Sequence, residues 1–416
     1  MQHRRAGHRV LKGLVRNPIT YRVIRPPLDL LTGGQDNRAF RVWVRFLLHI
    51  TGSAYSRKRP VIWISAFTPV EIAYAIGAIP IIPEIFASLV TYLGQSRRPL
   101  ALSTSVVSSD ICSFFRCAAG LVQEGYLPEP NLILSSSQVC DGANKFFHFL
   151  SQVYGCPHLM LDPPYDADDY ARRYLVGQLR HLVNECCRLL SLTYDEEMLS
   201  RTLLLSRLVW VNMLKVNALR KSSPSPFPGG EGLSYLAGMG FYSPGSLWGV
   251  RFFQSLCSQL ERKVAQGEGY LPQERYRLLW LHHIRPYYRN DIFQVLEKHD
   301  AAVSFEEGNY LYWPEPDPAR PLESIADKIM SNVWAGPLEK RLRAIEKMVE
   351  DYDIDGVIHF SHWGCRQSCG GASIIGDRLR DRGIPYAILH GDGADPENYS
   401  PGQTRTRLEA LLEMLR

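Results

Sequence analysis

No stretch of the 416 residues is long and apolar enough to read as a membrane span. The most apolar segment, residues 70–93, is interrupted by Glu71, Pro80, Pro83 and Glu84, whereas a spanning helix needs about 20 nearly uncharged residues. The first residues lack a continuous apolar core ahead of a small-residue cleavage site, so no secretory signal is read and a cytoplasmic chain is expected. Low-complexity tracts are missing too, which excludes fibrous and disordered classes. Acidic residues are missing before Asp29, although Arg4, Arg5, Arg9, Lys12, Arg16, Arg22 and Arg25 fall in that stretch. Residues 1–58 are therefore read as a basic N-terminal arm, with residues 1–25 expected as a solvated extension and docking on an acidic partner or membrane surface as the alternative. The net charge of +5 is small for this length and gives no reason to expect a nucleic-acid partner.

The length calls for two or three domains. Apolar, β-branched runs at 61–67, 79–82, 101–107, 131–137 and 158–162 alternate with helical stretches at 69–76, 112–125 and 142–154. Uninterrupted apolar strands separated by helices predict a parallel α/β sheet covered on both faces. Thr68, Pro69 and Glu71 have the spacing of a capping box with proline at the first helical position. Residues 165–270 read as a mainly helical connection, interrupted by the Pro/Gly-rich loop 222–232. A second set follows: strands at 277–284, 301–307, 356–361 and 386–391, and helices at 287–299, 322–351, 372–382 and from 401. The fold class expected is α/β, with two doubly wound parallel-sheet domains of the Rossmann or flavodoxin type at 59–164 and 271–416.

Nine cysteines in a cytoplasmic chain are expected as thiols or metal ligands rather than disulfides. Three of them follow predicted strands and precede helices: Cys112, Cys140 and Cys365. Ligands of open parallel sheets gather beyond the carboxyl ends of strands, and helix N-termini stabilise thiolates there. A lone cysteine so placed is usually a small buried residue, but three point to one convergent site. The stretch HFSHWGCRQSCGG (359–371) also has the zinc-like spacing H-x₂-H-x₂-C-x₃-C. His359, inside an apolar strand, reads as a core histidine; His362 reads either as a turn residue or as a contact at the strand tip. Three thiolates without a fourth ligand suit an iron–sulfur cubane with one iron open. Cys117 and Cys369 stand four or five residues beyond a favoured cysteine, Cys186 and Cys187 read as helix packing, and Cys156 and Cys257 have no supporting neighbours.

The ordered motifs FTPVEIAYAIGAIPIIPE (67–84), SSDICSFFR (108–116), VCDGANK (139–145), HWGCRQSCGG (362–371) and GIPYAILHGDGADPENYSPGQTRTRLEALLEML (383–415) resemble the iron–sulfur, D-component-like subunits of the 2-hydroxyacyl-CoA dehydratase and benzoyl-CoA reductase family. The resemblance runs from about residue 58 to the end. It implies a [4Fe-4S] cluster on Cys112, Cys140 and Cys365, with an open iron facing the substrate thioester. It further implies an acyl-CoA substrate, a sister subunit or homodimer, and one electron from a separate ATP-hydrolysing iron–sulfur activator. That electron makes a ketyl radical from which water is eliminated. A P-loop is missing here, in keeping with ATP binding to the activator. The family's catalytic serine and glutamate fall on Ser65 and Glu84, with Glu71 as the alternative acid. One branch carries a double-cubane cluster and reduces small molecules; Cys117, Cys369 and Cys156 would be its additional ligands. A third reading is a non-catalytic partner or electron-relay subunit.

Overall fold

The structure, a computed structural model, describes residues 12–31 and 38–416. Two four-stranded, wholly parallel sheets stand amid helices, so the expected α/β class with two doubly wound units is what the chain forms. The first sheet contains β1 (Val61–Ile64), β2 (Ile79–Ile81), β3 (Leu132–Ser136) and β4 (His158–Leu161), in the order β2-β1-β3-β4. The second contains β5 (Tyr276–Leu281), β6 (Ala301–Glu306), β7 (Gly356–His362) and β8 (Tyr386–Gly391), in the equivalent order β6-β5-β7-β8. Ile62 lies between Pro80 and Leu132, and Leu279 pairs with Val357.

Period-2 alternation decides where each strand residue goes. Trp63 and Trp280 face one large core common to both sheets, whereas Ile62 and Ile64, or Leu279 and Leu281, face two separate outer cores. The sheets thus turn one face toward a shared interior. Winding reverses between β1 and β3 and again between β5 and β7, and such reversals leave a crevice at the carboxyl ends of those strands.

Helix α1 (Pro18–Leu31) packs on α2 (Arg38–Ser56), which lies against β2. Trp43, Phe46, Ile50 and Ala54 of α2 are buried in the shared core. Residues 38–56 of the basic arm are thereby built into the core, because an apolar stripe at helical spacing outweighs the basic residues on the other face. Arg4, Arg5 and Arg9 lie outside the described residues. Next come α3 (Glu71–Ala75), α4 (Pro83–Tyr92), α5 (Arg97–Ser103), α6 (Ser113–Glu124) and α7 (Asp141–Tyr154). The predicted strand at 101–107 is overturned: its first half is helix α5. Packing overrides β propensity here, since α5 presses so closely on α6 that a side chain at Gly120 would overlap the Pro99 carbonyl.

The helical stretch expected after 165 contains α8 (Asp169–Leu190), α9 (Glu196–Leu219) and α10 (Leu247–Ala265). The long helix predicted at 322–351 is two, α11 (Pro321–Met330) and α12 (Leu338–Asp351), separated around Pro337. Helices α13 (Arg366–Cys369), α14 (Ala372–Arg380) and α15 (Pro401–Met414) complete the chain. The capping box at Thr68 does not form. Helix α3 starts after Val70, and the Thr68 hydroxyl bonds Ser65 instead, at 2.7 Å.

Candidate active site

The loops that follow β1, β3, β5 and β7, the four strands flanking the two reversals, all line one cavity of about 1050 Å³. They contribute Ser65, Ala66 and Phe67; Gln138, Val139 and Cys140; His282 to Arg285; and Gly364 to Gln367. Cys112, the residue before α6, joins them from the side. Cys112, Cys140 and Cys365 are therefore brought to one cavity, although Cys112 reaches it from a helix start rather than from the strand tip expected.

Each of the three precedes the first residue of a helix. Backbone N–H groups of Phe114, of Gly142 and Ala143, and of Gln367 and Ser368 turn toward the three sulfurs and favour their thiolates. Burial acts in the opposite direction and is stronger. Together with repulsion from neighbouring sulfurs, which for Cys365 is that of Cys369, it pushes the Cys112 thiol far up, Cys140 to about 12 and Cys365 to about 11. Three such thiols ionise together only around a cationic partner. Their soft donors could hold an iron–sulfur cluster. Among the described residues, no three His, Cys, Asp or Glu side chains converge tightly enough to hold a single metal ion.

His362 is fully buried, and its ring orientation follows from its neighbours. Gly393 N–H donates to Nδ1 at 3.0 Å, so the neutral ring carries its proton on Nε2, which points at Cys112 Sγ 3.2 Å away. Gly393 belongs to the turn 391–395, where Asp392 Oδ1 accepts from the N–H groups of Ala394 and Asp395 and from the Ser113 hydroxyl. Arg116 pairs with Asp395 at 3.1 Å. The start of α6, which carries Cys112, is thus tied to the far end of the chain. Gly364 lies at φ +76°, and a side chain there would stand 2.8 Å from the Cys112 amide nitrogen. The Cys365 turn and the Cys112 backbone touch because that residue is glycine.

Glu84 and Ser65 both line the cavity. Glu84 Oε1 accepts from Ala66 N–H at 3.2 Å, its Oε2 is buried with no partner, and burial raises its carboxyl to about 7. Glu71, the alternative acid, lies elsewhere, buried and ion-paired with Lys328. Cys117 is buried in the shared core and outside the cavity lining. Cys369 is exposed, donates to the His362 carbonyl at 3.2 Å, and is also outside the lining, as is half-buried Cys156. His359 is a core histidine bonded to the Tyr386 hydroxyl at 2.7 Å, as its strand position suggests.

Sequence reasoning missed the wall formed by His282 and His283. Their rings stack at 4.4 Å and pack on Trp334, and His282 Nε2 lies 3.9 Å from Cys365 Sγ. Only their place after a buried strand could have flagged them.

A family model described as 2-hydroxyglutaryl-CoA dehydratase, D-component, matches residues 65–415. The chain belongs to this family. Among similar proteins, the (R)-phenyllactyl-CoA dehydratase alpha subunit of Clostridium sporogenes is 23% identical over 383 residues, covering 87% of this chain and 91% of the relative. A benzoyl-CoA reductase subunit of Thauera aromatica is 26% identical over 336 residues, covering 74% of this chain and 77% of the relative. The lactoyl-CoA dehydratase alpha subunit of Anaerotignum propionicum is 22% identical over 406 residues, covering 87% and 92%. The matched region begins at Ser65 and includes all three clustered cysteines, together with the four loops that line the cavity described above.

Proposed function

We propose that this protein is the iron–sulfur subunit of a 2-hydroxyacyl-CoA dehydratase-type lyase that works with a sister subunit and an ATP-hydrolysing activator. One observation carries the reading: three thiols from both halves of the chain line a single cavity together with Ser65 and with Glu84, whose Oε2 has no partner. Cys112, Cys140 and Cys365 would hold a [4Fe-4S] cluster, with His362 Nε2–H supporting the Cys112 thiolate. When bound, that cluster supplies one-electron reduction and a Lewis-acidic iron for a thioester oxygen. Glu84, titrating near neutrality, takes or gives a substrate proton at its free Oε2. The Ser65 hydroxyl, oriented by Thr68, offers a hydrogen bond to the substrate. Phe67 and Phe241, packed edge-on, give the cavity an apolar wall beside Ser65.

Anaerobic reconstitution followed by iron and sulfide analysis tests the reading. The expected yield is about four irons per chain. Substituting Cys112, Cys140 or Cys365 by serine should abolish or severely reduce it, while Cys117→Ser and Cys369→Ser leave it intact. Roughly eight irons, falling by half in Cys369→Ser, would favour the double-cubane reductase. Full iron content in Cys140→Ser would refute the ligand assignment.

A further inference from the structure

Among the described residues, two side chains with a permanent positive charge line the cavity, Arg285 and Arg366. Arg366 pairs with Asp141 at 3.0 Å. Among the other lining carboxylates, Glu231 accepts from the Tyr235 hydroxyl at 2.6 Å, Glu84 accepts from Ala66 N–H, and Glu297 makes no ion pair with Arg285. Arg285 has no such arrangement. Its guanidinium lies over the rings of Phe293 and Tyr287, at 5.3 and 5.6 Å from their centroids, and its Nε is buried without a partner. Among the described residues no carboxylate reaches it. Burial makes the charged form costly there, and only tyrosine hydroxyls act in its favour.

Its setting is built to leave the guanidinium accessible. A side chain at Gly230 would stand 3.3 Å from Nη1 and 3.6 Å from the Phe293 ring, so glycine keeps that flank clear. Arg285 also ends the loop His282 to Arg285, whose first ring faces Cys365. A desolvated cation held without a counter-ion inside a ligand cavity is stabilised when a ligand brings the missing charge. The fork of a guanidinium matches carboxylate and phosphate, which each present two oxygens to it. We propose that Arg285 is a specificity-determining residue that binds an anionic group of the substrate, a carboxylate or a phosphate. The inference rests on the acyl-CoA reading of the cavity, which offers two sources for that group: a carboxylate at the end of the acyl chain, or the phosphates of CoA.

Equilibrium binding separates the sources, with three ligands titrated into the wild-type chain, R285Q and R285K. The ligands are an alkyl 2-hydroxyacyl-CoA, the same ester with a terminal carboxylate, and the alkyl ester of pantetheine, which has no phosphate. R285Q should weaken the ligand that carries the recognised anion by roughly ten- to a hundredfold, with partial recovery in R285K. A loss confined to the carboxylate-bearing chain assigns the acyl end. A loss on both CoA esters that spares the pantetheine ester assigns the phosphates. Equal binding of all three ligands to wild type and R285Q overturns the proposal. If wild type binds no thioester, the acyl-CoA reading fails, and titrations with glutarate and pyrophosphate decide the role of Arg285. Binding of either probe to wild type but not to R285Q upholds the anion site, and any other result overturns it. R285M, which keeps the apolar stem on Phe293 and Tyr287, replaces R285Q should the latter melt early.

Discussion

Glu84 and Glu71 show how two acids thirteen residues apart take different roles. Glu71 is neutralised by Lys328, whereas Glu84 has one backbone donor and no cation. A carboxyl raised from 4.5 to about 7 by burial keeps its proton in the folded chain over a range where the unfolded chain has lost it. Stability from this group is therefore full below pH 4.5 and is lost as pH rises toward 7, by up to about 3 kcal/mol. Glu84→Gln should remove that slope in denaturant titrations of the cluster-free chain; an unchanged slope would place the proton elsewhere. Turnover in this variant should fall by about 10²-fold or more if Glu84 moves a substrate proton. Cys117, by contrast, is a small core residue. Cys117→Ala should cost about 1 kcal/mol or less in chemical unfolding and leave iron content unchanged.

Helix starts and the turns before them organise the site at the next scale. Cys112, Cys140 and Cys365 each stand where a chain enters a helix, so backbone geometry alone directs one N–H group at the Cys112 sulfur and two at each of the others. The turn before Cys365 depends on Gly364 at φ +76°. Gly364→Ala places a side chain in the left-handed region, costing about 1–2 kcal/mol, and presses it on the Cys112 backbone. The variant should fold yet retain less iron after reconstitution than the wild type. Normal iron content would mean that the two cysteine turns can separate without consequence. His362→Ala should behave differently, because it deprives Cys112 of a donor and leaves Gly393 N–H unpaired. Its expected signature is an altered visible spectrum and reduction potential at unchanged iron content.

Across the whole molecule, one core is shared by two sheets with the same strand order, and the cavity opens where their reversals meet. Helix α2 lies outside the matched family region, but its Trp43 is buried in that core and lines the cavity. Trp43→Ala should destabilise the chain by about 3–5 kcal/mol, read as a lower midpoint in chemical unfolding. A loss below about 1 kcal/mol would show that α2 is an accessory.

By itself the sequence determined the fold class, because buried parallel strands must be apolar throughout and their helices amphipathic. It also singled out Cys140 and Cys365, since strand, turn and helix signals surround both. Cys112 was reached through a strand at 101–107 that is helix α5, so the residue was legible but its route was not. Propensity there was local, and the deciding contact, Gly120 on Pro99, was not. Only tertiary structure decided that Glu84 faces the cavity while Glu71 meets Lys328, that Cys117 turns into the core, and that His282, His283 and Arg285 line the site. Those outcomes depend on which elements meet in space, and residues far apart along the chain carry no local mark of their partners.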